Sequence, residues 1–67
     1  MRLLYIEDNE RLAKNTAASL QRNDFVVDCV SNGADAMHAA RSYVYDAIVL
    51  DLGLPDIDGM DLLDQLR

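Results

Sequence analysis

Two short apolar runs, each ending abruptly in carboxylates, constrain this chain more than any other feature. Leu3-Leu4-Tyr5-Ile6 runs into Glu7 and Asp8. Ala47-Ile48-Val49-Leu50 runs into Asp51, and directly after Leu52 comes the turn-forming stretch Gly53-Leu54-Pro55-Asp56-Ile57-Asp58-Gly59. Apolar runs of this length, bounded by charge, read as strands buried on both faces of a sheet. If the two strands are parallel neighbours, Glu7, Asp8 and Asp51 meet at one sheet edge, where open α/β folds build their sites. Carboxylates gathered there repel one another, so such a site holds a divalent cation, and hard oxygen donors suit Mg²⁺. Asp51 then has the chemistry of a nucleophile that accepts a phosphoryl group.

Between these runs the chain alternates strand and helix signals with no linker or low-complexity segment. Residues 2–6 predict a buried strand. Asn9 predicts the cap of a helix running to about Arg22, with Leu12, Ala13, Thr16, Ala17 and Leu20 facing inward. Asn23-Asp24 predicts a turn, and Phe25 to Val30 a strand whose polar Asp28 marks it as an edge. Ser31-Asn32-Gly33 opens a second helix to about Ser42. Asn32-Gly33 is also a hairpin signal, but the helical pattern that follows it decides for a cap. Residues 47–50 are apolar on both faces, which predicts a strand for the sheet interior. Asp58 caps a last helix, with Asp61 at its third position beside the positive end of the helix dipole and Leu62, Leu63 and Leu66 on its core face. Met60, Tyr43 and Tyr45 are expected to pack, the tyrosines at the sheet rim, and His38 to lie at a partly exposed helix surface. The order β-α-β-α-β-α implies a parallel sheet with right-handed crossovers.

Composition narrows the class further. Sixty-seven residues make at most one small domain with a marginal core. The single Cys29 has no internal disulfide partner, so a reducing, cytoplasmic setting is expected, with Cys29 itself a small buried strand residue. Glu7, Asp8 and Glu10 interrupt any secretory leader, and no apolar stretch approaches membrane-spanning length. The net charge of −6 argues against nucleic-acid binding by this segment itself. Residues 46–67 hold six acids against one base, whereas residues 1–23 hold three acids and four bases, so acidity is expected to gather around the Asp51 site. Asp56, Asp61 and Asp64 read as a solvated acidic face.

Glu7-Asp8 after the first strand, Asp51 after the third, Leu54-Pro55 and Asp58-Gly59 together resemble the receiver domain of two-component response regulators, in register along the whole chain. The resemblance implies a flavodoxin-like, CheY-like α/β fold. Of the family's strand order 2-1-3-4-5, this chain supplies the 2-1-3 part. It implies that Asp51 is the phosphoacceptor, not the catalytic residue of an enzyme, taking its phosphoryl group from a sensor histidine kinase. It implies that Mg²⁺ is held by Glu7, Asp8, Asp51 and the backbone carbonyl of Gly53, with Pro55 and Gly59 shaping the adjoining loop. Met1 to Asn9 and Tyr45-Asp46 look most like the OmpR/PhoB-type subgroup, whose members reach DNA through a separate output domain.

The expectation for domain organisation is a partial receiver over residues 1–67, truncated after β1-α1-β2-α2-β3-α3, because the last helix reaches Arg67 without a cap, glycine or proline. The Ser or Thr and the Lys that the family carries on its fourth and fifth strands are then outside the chain, and weak or no phosphorylation of this segment by itself is expected. The strand at 47–50 would pair with another copy or with the complementary half. Two other readings remain. An aspartate-nucleophile phosphatase would use Asp56-Ile57-Asp58-Gly59, but its first Asp lacks a strand directly before it. A pure interaction module would carry the acids only as a dispersed loop cluster. An EF-hand is excluded, since Gly59 falls at the fourth loop position from Asp56, not the sixth.

Overall fold

The computed structural model describes residues 1–50, 54 and 56–66. Six elements follow one another: β1 Arg2–Ile6, α1 Glu10–Gln21, β2 Val26–Val30, α2 Gly33–Ser42, β3 Ala47–Leu50 and α3 Gly59–Leu66. The strands form a parallel sheet of order β2-β1-β3, with Ile6 beside Val30 on one side and beside Leu50 on the other. The step from β1 to β2 goes one way across the sheet and the step from β2 to β3 goes back past β1. Right-handed crossovers therefore put α1 on one face and α2 on the other. Side chains alternate accordingly along β1. Leu4 and Ile6 are fully buried with Ala36 and Leu62, against the α2 and α3 side. Leu3 and Tyr5 are buried on the opposite face, where Ala13 and Ala17 give α1 its inward stripe.

Local chemistry sets the helix ends as expected. Asn9 caps α1 by accepting from the Leu12 amide at 3.0 Å, and Asn32 caps α2 by accepting from the Asp35 amide at 2.8 Å. Asp58 caps α3, accepting from the Met60 amide at 2.8 Å. The Asn23-Asp24 turn is a Schellman ending. The Phe25 amide donates to the Leu20 carbonyl and the Asp24 amide to that of Gln21, with Asp24 left-handed at φ 68°. Asp tolerates that region better than most residues with a Cβ, which is why the turn needs no glycine.

Some packing expectations are corrected. Leu12 is exposed, because it lies about 100° around the helix from Ala13, outside the narrow stripe that covers the sheet. Met60 is exposed because it sits two residues, about 200°, from the fully buried Leu62. Cys29 lies on β2 but is exposed, since β2 is an edge strand. Partial burial, with Asp28 adding to it, still pushes its thiol up, away from reactive thiolate. β3 has an interior composition, yet among the described residues it is the other edge, with Ile48 and Val49 about two-fifths exposed.

The end of the sheet remote from Glu7 is closed by the segment between α2 and β3. Arg2 donates to Asp28 from Nε at 3.1 Å and from a terminal nitrogen at 2.9 Å, and its guanidinium lies 4.4 Å from the Tyr43 ring centre. The Tyr45 hydroxyl donates to the same Asp28 oxygen at 2.7 Å. Asp46, expected near the Asp51 site, belongs to this end instead. Its carboxylate accepts from the Arg2 amide at 2.7 Å while its own amide donates to the Arg2 carbonyl at 2.8 Å. Asp28 is thus the polar residue of an edge strand, as expected, and its charge is satisfied by one cation and one hydroxyl. The Tyr45 hydroxyl and the Arg2 guanidinium hold its carboxyl below the usual range.

Burial, and then the hydrogen bond to Asp28, push the Tyr45 phenol from 10.0 up to about 12. A raised folded value makes this contribution complete below pH 10 and lost as pH climbs from 10 to 12. Tyr45→Phe should lower the urea midpoint near neutrality and flatten that alkaline decline. Parallel alkaline curves for the two proteins would refute the assignment.

Candidate functional site: the carboxylate edge of the sheet

Glu7 continues the β1 ladder one residue beyond the strand, its amide donating to the Val30 carbonyl at 3.0 Å. It is 7% exposed, a buried carboxylate at the C-terminal sheet edge. Asp8, next to it, is exposed, and Asn9 turns the chain into α1. One acid is therefore fixed by the sheet and its neighbour is free to reach a ligand. Burying a carboxylate is costly unless partners or a cation compensate it, and hard oxygen donors at such an edge suit Mg²⁺.

On the other side, β3 ends at Leu50, the register partner of Ile6. Asp51, Gly53 and Pro55, named above as phosphoacceptor, carbonyl ligand and loop-shaping residue, lie outside the described residues. Among the described residues, no three His, Cys, Asp or Glu side chains gather as a metal-holding group. The Glu7–Asp8 pair is the described part of the candidate site.

Beyond it, Leu54 and Ile57 pack against the core. Asp56 is exposed, as read, but it also has a structural role. Its two carboxylate oxygens accept from the Gly33 amide at 2.7 Å and the Ala34 amide at 3.1 Å, the first two amides of α2. A helix N-terminus offers unpaired amides and a positive dipole end, so an acid there is well placed. Gly33 makes the approach possible, because a Cβ at that position would collide with Ile57 Cγ2. No sequence signal marks this contact: its partners are 22 and 23 positions apart, and a lone Asp in an acidic loop resembles every other. Asp61 and Asp64 are exposed, as read. His38 is exposed on α2.

The sequence profile of the response regulator receiver domain matches residues 3–67, and the chain belongs to that family. It is 43% identical over its whole length to the transcriptional regulatory protein TctD of Salmonella typhimurium, and 39% identical to the transcriptional regulatory protein CusR of Escherichia coli. It spans 30% of the length of each. Such regulators agree with the OmpR/PhoB-type likeness. Among solved structures, a CheY-like receiver domain from Methylobacillus flagellatus superposes with a TM-score of 0.96 at 39% identity, over 100% of this chain and 57% of that one. The response regulator TrrA of Thermotoga maritima, solved with Mg²⁺-BeF, gives 0.94 at 27% identity, over 98% of this chain and 57% of that one. TrrA has also been solved in complex with the histidine kinase ThkA. No helix among the described residues is long and apolar enough to cross a membrane.

The Gly33 amide, with that of Ala34 in support, holds the Asp56 carboxyl below its ordinary 3.8. A depressed folded value gives stability that is present above about pH 4 and lost as pH falls through the folded value. Asp56→Asn should therefore weaken the protein above pH 4 and shrink its acid-induced loss of stability. An unaltered acid limb, followed by circular dichroism from pH 5 to pH 2, would contradict the contact.

Proposed function

We propose that this chain is the β1-to-α3 portion of a receiver that accepts a phosphoryl group on Asp51 from a sensor histidine kinase. A carboxylate oxygen of Asp51 forms the bond to phosphorus as the bond from phosphorus to the kinase histidine breaks. Glu7, Asp8, Asp51 and the Gly53 carbonyl would hold Mg²⁺, which when bound offsets charge on the transferring phosphoryl oxygens. One observation carries the reading. Ile6 and Leu50 are register partners, and the chain leaves β1 through a buried Glu7 and an exposed Asp8 at the edge toward which β3 runs. The Mg²⁺-BeF bound to TrrA and its complex with ThkA support the same chemistry. The remaining strands of a receiver would add the hydroxyl and lysine contacts. A DNA-binding output domain, as the likeness to transcriptional regulators implies, would carry the response.

Asp51→Asn in the full-length parent should abolish acid- and base-labile phosphate, since an amide is a poor nucleophile and a weak ligand. Labile phosphate retained on that variant would sink the reading. Asp8→Ala should weaken Mg²⁺ binding by about tenfold or more, and phosphorylation with it, because a hard cation loses a charged ligand. An unchanged Mg²⁺ titration would reduce Asp8 to a charge at a helix start. The same titration separates this reading from an interaction module, in which dispersed acids hold no ion.

The exposed β3 edge supports a second element of the proposal. Among the described residues no strand pairs with the outer edge of β3 beside Ile48 and Val49, which favours pairing with a further strand, from a second copy or from the complementary half of the domain. The isolated 67-residue chain should therefore scatter light as a dimer or larger species at micromolar concentration. A folded monomer under those conditions would overturn this element.

A further inference from the structure

The loop that leaves β3 is held at both ends, and the second hold has no role in the chemistry described so far. At its start, Leu50 is fixed by pairing with Ile6. At its far end, Asp56 sits on the Gly33 and Ala34 amides of α2, Ile57 packs against the core, and Asp58 starts α3. Positions 51–55, carrying the nucleophile and the carbonyl ligand of the proposed function, lie between these anchors, and Leu54 among them packs against the core. A ligand set on a loop binds a small cation well only when the loop spends little free energy becoming ordered. A charge-assisted pair of hydrogen bonds is stronger than a neutral pair. Here it reaches a helix that contributes no ligand.

We propose that Asp56 is a positioning residue, tying the far end of the Asp51 loop to the first turn of α2 and so ordering that loop for Mg²⁺. The proposal rests on the functional reading above and extends it to α2. If the Asp56 bonds favour Mg²⁺ binding, Mg²⁺ must favour the Asp56 bonds by the same factor. The first turn of α2 then senses occupancy of a site to which it donates nothing.

The test uses the 67-residue chain and Mg²⁺ as the only probe, in about 0.3 M salt to screen the through-space loss of one negative charge. Asp56→Ala is compared with Asn32→Ala, which removes the other cap of the same helix while leaving Asp56 in place. Both variants should lose stability. Only Asp56→Ala should weaken Mg²⁺ binding, by about tenfold, the lower end of what outer partners of metal ligands contribute. In the wild type, Mg²⁺ should slow hydrogen exchange at the Gly33 and Ala34 amides, and an Asp51→Asn variant should lose that effect. If Asp56→Ala fails to fold, Asp56→Asn, which keeps an acceptor oxygen, is read in its place.

Equal Mg²⁺ affinity in the wild type and the Asp56 variant would overturn the proposal and leave the phosphoacceptor reading intact. Equal weakening in Asn32→Ala would also overturn it, showing only that α2 must be folded. A wild type without any Asp51-dependent Mg²⁺ site would bring down both.

Discussion

Everything in this molecule depends on the two-sided pairing of β1. Its five residues are in register with β2 and four of them, Leu3 to Ile6, with β3, and those four supply both faces of the core. In a parallel sheet a slip of one residue would exchange these faces, sending Leu4 and Ile6 toward α1 and Leu3 and Tyr5 toward α2 and α3. The same slip would move Glu7 out of step with the end of β3. Packing and chemistry are therefore fixed by one choice. The apolar volume that holds the sheet together also sets where Glu7 lies against the end of β3.

Much of this was legible in the residues because it is written in local order. The doubly apolar strand at 2–6, the caps Asn9, Asn32 and Asp58, and the turn at Asn23-Asp24 each use chemistry confined to a few neighbouring positions. What escaped was long-range. Asp46 and Asp56 look alike in the sequence, two acids near the proposed site. One holds the backbone of Arg2 at the opposite end of the sheet, and the other closes the N-terminus of α2. Leu12, Met60 and Cys29 are exposed despite their apolar character for a related reason. Hydropathy states a preference for burial, but a three-stranded sheet with a helix on one side and two on the other has limited surface to give. The candidate site divides along the same line. Glu7 and Asp8 were assigned from the end of a strand, and their placement follows from that strand, whereas the partner of Asp56 is a backbone that no side-chain pattern advertises.

The Arg2 cluster shows how a polar group can serve a sheet end that lacks apolar cover. Asp28 would be a poor choice in a strand packed on both faces. On an edge it collects Arg2 from the neighbouring strand and Tyr45 from the connection to the next one, so a single carboxylate ties three successive segments together. The pair is partly open to water, and an ion pair so exposed contributes little by itself. Its value is geometric: it closes the end of the sheet opposite Glu7 and joins β3 to β1 before the ladder begins.

The parallel register also governs the order of events when the chain is first made. Leu3 finds its β2 partner, Val27, 24 positions later and its β3 partner, Ala47, 44 positions later, with no hairpin among the described residues to bring strands together early. At about 5–20 residues per second, β1 leaves the ribosome and waits on the order of seconds before β3 exists. During that interval the most deeply buried strand among the described residues has a partner on one side only. The helix α1, whose cap and Schellman ending are both local, can form in that time and shield one face of it, so the most autonomous element of the fold is also the nascent chain's first protection against association with its neighbours.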